Sequence, residues 1–218
     1  MQLLTLIPAN VQAAGPMVLN PYAQMNAQID SSSKRIAAFL SEIDSAVDRG
    51  VSIHNAVRNP SGGRLQDDRI EDIMSSVIRQ SRMAGFIHGS KIGGKPFPAT
   101  YGRDAADRAR VRASKVNAWM KDTTKKHLTV SPDSDYVLSG DRALAATRYE
   151  AGRSYFQGLK DALRGTKHSK KWITSAAESC EECQDNEDAG LVDVDDDFES
   201  GDAYPPIHLH CSCWVVVS

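Results

Sequence analysis

Between residues 26 and 48, Ile29, Ile36, Phe39, Leu40, Ile43 and Val47 recur at three- and four-residue steps. That spacing gathers them on one side of an α-helix, and Gly50 stands where such a helix would stop. The segment RNPSGGRLQDD then breaks regular structure with Pro60, Gly62 and Gly63. A second helical pattern runs from about Leu65 to His88, with Ile70, Ile73, Met74, Val77, Ile78 and Met83 on its apolar side. A third, from about Asp104 to His127, has a thin apolar set of alanines, Val111, Val116, Trp119 and Met120. A fourth extends from about Arg142 to Arg164 through Leu144, Tyr149, Tyr155, Leu159 and Leu163, and Gly165 ends it. KHSKKWIT then reads as a short strand leading away from the helices.

The expected fold is α+β: a mainly helical body of four long helices and a small C-terminal β module. Its segments are an N-terminal arm at 1–24, the helical body at 25–166 and the module at 167–218. The arm, MQLLTLIPANVQAAGP and onward, is apolar, but its first basic residue is Lys34, so it lacks the positive start of a secretion signal. No apolar run approaches the ~20 residues that span a bilayer, so no membrane partner is expected. A reducing cytoplasm is the expected site of synthesis, where C-x-x-C spacing points to metal or redox chemistry before structural disulfides.

Charge changes the picture. The net charge of −2 hides a division: from Trp172 onward there are 12 acidic residues and no Lys or Arg. The preceding 171 residues carry all 26 basic residues against 16 acidic ones. Such asymmetry bears on partners and self-contact rather than on fold. The segment DVDDDFESGD reads as a solvated acidic loop. The third helix carries Arg108, Arg110, Arg112, Lys115, Lys121, Lys125 and Lys126. It reads as a solvated face packed through Val116, Trp119 and Met120. A nucleic-acid surface is the other reading, with no phosphate loop or DNA-reading module beside it.

Every cysteine lies in the last forty residues. Cys180-Glu-Glu-Cys183 is a half-site in which two intervening residues let both sulfurs converge on one ion, and His208-Leu-His-Cys211 repeats that spacing. Cys213 follows two positions later; in an extended chain it would share a face with Cys211, whereas His210 would point away from His208. Two tetrads stay open: Cys180, Cys183, His208 and Cys211, or the four cysteines with His208 behind them. A redox C-x-x-C normally opens a helix after a strand in a βαβ unit, which the pattern lacks. A catalytic zinc keeps one position open for water, whereas five donors over-fill a tetrahedral site, so the expectation is a structural Zn2+ and no enzymatic activity. The alternative is a zinc-dependent hydrolase or nuclease with His208 or His210 near an open position. Residues 172–218 hold few large apolar side chains, and a metal would supply the missing folding energy.

These residues also carry a resemblance. In the stretch from KKWIT to CWVV, Lys170 or Lys171, Trp172, Thr174, Cys180, Cys183, Gly190, Phe198, Pro205, Pro206, His208, Cys211 and Cys213 fall in order on one pattern. It is that of the C-terminal module of phage Mu F-like minor head proteins, the head morphogenesis family. The preceding ATRYEAGRSYFQG is similar to the same family through Arg148, Glu150, Arg153, Tyr155 and Gly158, so the likeness spans about Arg142 to Val217. Leu209 stands in place of the family's usual proline and Ser212 in place of its arginine. The resemblance implies a non-enzymatic virion protein, present in multiple copies. It would act in head morphogenesis at the portal vertex and in DNA packaging or ejection, after assembly in the host cytoplasm. The implied partners are the portal, other head proteins and packaged double-stranded DNA along the basic body.

Overall fold

The computed structural model describes residues 17–19, 21–62, 67–130, 140–174, 179–211 and 213–218. In chain order they form β1 (Met17–Leu19), α1 (Pro21–Asp48), α2 (Ile53–Arg58), α3 (Arg69–Gly93), α4 (Tyr101–Val130) and α5 (Gly140–Leu163). Then come β2 (Ser169–Ile173), α6 (Glu181–Asp188), β3 (Leu191–Asp193) and β4 (Trp214–Val217). The mainly helical body and small β module of the expected α+β class are both present. The expected 1–24 arm lies largely outside the described residues. Within it, Met17–Leu19 forms a strand and α1 already begins at Pro21.

Two compact units arise, one from 27–80 and 99–150, the other from 81–98, 151–218 and the described residues up to 26. The first is a helical core. Ile36, Phe39, Leu40 and Ile43 of α1 bury against Ile70, Ile73 and Met74 of α3 and the small-residue face of α4. That face is Ala105, Ala109, Ala113, Val116, Met120 and Leu128. Burying each large apolar side chain contributes roughly 1.5–3 kcal/mol, which outweighs the low apolar content of α4. Trp119 differs from the expectation: it lies 41% exposed, with the Arg142 guanidinium 5.4 Å from its ring centre. Arg112 of α4 clamps the buried Glu150 carboxylate through Nε at 2.9 Å and Nη2 at 2.5 Å.

In the second unit, α3 and α5 meet backbone to backbone. A Cβ on Gly85 would lie 1.8 Å from the Tyr155 carbonyl oxygen, and one on Gly158 would lie 2.0 Å from that of Arg82. Only glycine permits that approach. An Arg82–Asp161 ion pair at 2.6 Å and a hydrogen bond between Tyr155 Oη and His88 Nδ1 flank the contact. Burial holds the His88 imidazole below its usual range and Lys91 adds to the effect, so the neutral ring accepts from the phenol.

The sheet is antiparallel throughout, with strand order β1-β4-β2-β3. Lys170 of β2 faces Val217 of β4, and Trp172 faces Val215. The period of two places all four on one buried face. Gly165 takes a left-handed φ of 71° after α5, as the sequence led one to expect.

Candidate metal centre

Two segments supply the site, and both are turns. Cys180 precedes α6, and its carbonyl accepts from Cys183 N at 3.0 Å and Gln184 N at 3.1 Å. This first helical turn brings the two thiols to one end of α6. The second segment is not extended as expected. Cys211 N donates to the His208 carbonyl at 3.2 Å, and His210 has a left-handed φ of 69°. His208 and Cys211 therefore converge because the chain turns between them, while His210 lies exposed outside the cluster.

The ligand atoms of Cys180, Cys183 and His208 lie within 4.8 Å of one another, as do those of Cys183, Cys211 and Cys213. Cys183 is common to both groups, so all five expected residues form one cluster compatible with a metal site. Cys180 Sγ is 3.2 Å from His208 Nε2, and Cys183 Sγ is 3.9 Å from Cys211 Sγ. No two of the four thiols are joined in a disulfide. The imidazole is oriented for binding: Nδ1 lies 2.7 Å from the Leu209 carbonyl, which can only accept. Nδ1 therefore carries a proton, and Nε2 is the ring atom that faces the thiols.

Cys183, Cys211 and Cys213 are buried among Trp172, Phe198, Val192 and Ile207. Trp172 meets Phe198 edge-on at 5.2 Å. The low-dielectric setting splits the thiols. A hydrogen bond from Cys213 holds Cys211 down to about 5 against its burial. Burial pushes Cys183 well above the usual thiol range, and the bond to Cys211 does the same to Cys213. Cys180 is lowered despite its burial, through hydrogen bonds with Cys183 and His208. Gathering more than one thiolate here is costly without a cation; with one, the same donors become a soft ligand set.

The C-x-x-C does open a helix after a strand, one half of a redox signature. The other half is missing, because β2 and β3 are adjacent and antiparallel rather than joined as a parallel βαβ crossover.

The support of the cluster was less legible. The acidic segment, read as a solvated loop, is built into the module. Lys170 has no exposed surface, and its Nζ donates to the carbonyls of Val194 at 3.2 Å and Asp196 at 2.5 Å. The ammonium also lies 4.3 Å from the Tyr204 ring centre and 5.2 Å from that of Phe198. Gly165 N donates to Asp195 Oδ2 at 2.7 Å. Asn186 and Ser200 exchange hydrogen bonds of 3.0 and 3.2 Å, and Thr174 donates to Glu187. The sequence signal for Lys170 was its position, two residues before Trp172 and on the same strand face.

Comparison of the chain with protein-family models, with curated proteins and with solved structures finds no match.

Proposed function

We propose that this chain is a phage minor head protein whose C-terminal module is closed by a structural zinc ion. It acts in head morphogenesis at the portal vertex. The observation that carries the reading is the convergence of five soft donors, from two segments more than twenty residues apart, into one largely buried cluster. Zinc–sulfur bonds of about 2.3 Å in a tetrahedron put sulfurs about 3.8 Å apart. The Cys183–Cys211 separation is 3.9 Å. Cys180, Cys183 and Cys211 would hold the ion together with His208 or Cys213, and the ion's contribution is to neutralise thiolates and staple the turns.

The head-protein assignment rests on the resemblance. Its residues have coherent physical roles: Lys170 and Trp172 form the buried face of β2, Phe198 closes over Trp172, and Gly158 admits α3 against α5. A structural role fits the donor set better than hydrolysis, since five donors leave no coordination position in need of water. The basic excess of the helical body suits an acidic head protein or packaged DNA.

Two measurements test the reading. Elemental analysis of purified protein should give one zinc per chain, falling below half in Cys183→Ser. In a particle reconstruction, density for the chain should lie at the portal vertex. Zinc-free protein with an ordered tail would remove the metal reading, and absence from particles would remove the head-protein one.

A further inference from the structure

The cysteine–histidine cluster is gathered as two triads. The ligand atoms of Cys180, Cys183 and His208 lie within 4.8 Å of one another, and so do those of Cys183, Cys211 and Cys213. A single tetrahedral zinc uses four donors and leaves the fifth idle. Two ions that each take three donors, and share one of them, need five. Cys183 is the member common to both triads, so the number of donors and the sharing both match. Cys183 Sγ reaches the inner triad at 3.9 Å from Cys211 Sγ, while in the outer one Cys180 Sγ stands 3.2 Å from His208 Nε2.

The ion that suits such a pair of triads is soft and singly charged. Cu(I) is a filled-shell cation of that kind: thiolates select it, and it accepts three ligands where zinc asks for four. A thiolate has lone pairs enough to bridge two such ions. Charge agrees as well. Four thiolates with two Cu(I) carry the same net charge as four thiolates with one Zn2+, so the module buries no more charge with the pair than with zinc. The setting also protects a reduced ion, because Cys183, Cys211 and Cys213 are buried among Trp172, Phe198, Val192 and Ile207. The outer triad, with Cys180 half-buried and His208 exposed, supplies the entry path.

We infer that the cluster is also a two-ion Cu(I) site. One ion sits on Cys180, Cys183 and His208, the other on Cys183, Cys211 and Cys213, and the Cys183 thiolate bridges them. Loading is ligand exchange without electron transfer: two Cu(I) enter, one Zn2+ leaves, and both copper ions stay monovalent. With all four cysteines already thiolates, no proton moves. Where His208 completes the zinc site and Cys213 is still a thiol, one proton leaves with the zinc. The inference rests on the proposed metal reading in using the same donors, and it gives the fifth donor a role that one zinc does not.

The test is an anaerobic titration of the zinc-loaded full chain with Cu(I), supplied as its acetonitrile complex. Native mass spectrometry counts the copper, and a chromogenic chelator reads the zinc released. Uptake should stop at two copper ions per chain with one zinc released. X-ray absorption at the copper edge should show three-coordinate copper with a second copper as its nearest metal neighbour. Cys180→Ser leaves the inner triad whole and should bind one copper, without that neighbour. Saturation of the wild type at any number but two, zinc retained beside the copper, or two copper ions that are not neighbours overturns the inference. So does a Cys180→Ser chain that still holds two neighbouring copper ions; should that variant fail to fold, the wild-type absorption spectrum decides alone. A chain that holds one zinc and takes at most one copper sinks this inference and leaves the zinc reading standing. One that takes two neighbouring copper ions but never holds zinc sinks the zinc reading alone, and one that binds neither metal sinks both.

Discussion

A lysine ammonium without exposed surface, Lys170, sits where β2 meets the acidic segment, held by two carbonyls and two aromatic rings. Burial lowers it to about 8, and Lys160 pushes the same way against the nearby Asp197, Asp196 and Asp195. The folded state therefore binds this proton less readily than the unfolded chain, whose lysine titrates near 10.5. Between those two values the unfolded chain carries more protons, so stability rises with pH across that window. The slope from this one group is at most about 1.4 kcal/mol per pH unit. Urea unfolding of the metal-loaded protein at pH 8, 9 and 10 should show the rise, and Lys170→Met should flatten it. A wild-type slope matched by the variant would mean that Lys170 is not the group responsible. Loss of the two donated hydrogen bonds should also raise the protease sensitivity of the 193–202 turn in the variant.

At the scale of elements, the decisive contact in the unit that holds the sheet is the α3–α5 approach. A methyl group at Gly85 would overlap main-chain atoms of Tyr155, and one at Gly158 would overlap those of Arg82. Neither neighbour can move aside as a flexible side chain would, so the helices must separate. Gly158→Ala should cost about 3 kcal/mol or more, at the large end for single substitutions, with Gly85→Ala similar. Gly102→Ala, in open space on α4, should be neutral or slightly stabilising. Thermal unfolding of the three variants decides the matter; a harmless Gly158→Ala would contradict the close approach.

The same comparison shows what the chain made legible. The four long helices followed from apolar spacing because each buries one continuous face. Six-residue α2 buries only Ala56 and Val57, too few to make a period. Eight-residue α6 buries Cys183 and Asn186, a thiol and an amide that no hydrophobic pattern registers. The five residues of the cysteine–histidine cluster were legible because ligand chemistry restricts residue type and spacing. The turn at His208–Cys211 was not, since His210 is a non-glycine residue in left-handed backbone.

For the molecule as a whole, the question is how far stabilisation by the proposed zinc would reach. The Trp172–Phe198 pair packs with Cys183, Cys211 and Cys213, with Val192 and Ile207 partly buried against them. The α3–α5 contact, by contrast, rests on Tyr155, Phe156, Leu159 and Leu163, all at most 1% exposed. The core of α1, α3 and α4 is larger still. A structural zinc contributes on the order of 10 kcal/mol, more than a module of this size gains from its own burial. Chelation should therefore abolish amide-exchange protection in β2, α6 and β4. Protection should persist in 81–93 and 151–163 and throughout α4. Hydrogen exchange with mass spectrometry, run with and without chelator, reads each segment separately. Uniform loss across all helices would mean that the metal holds the entire fold, and unchanged protection in β2 and β4 would mean that it holds none of it.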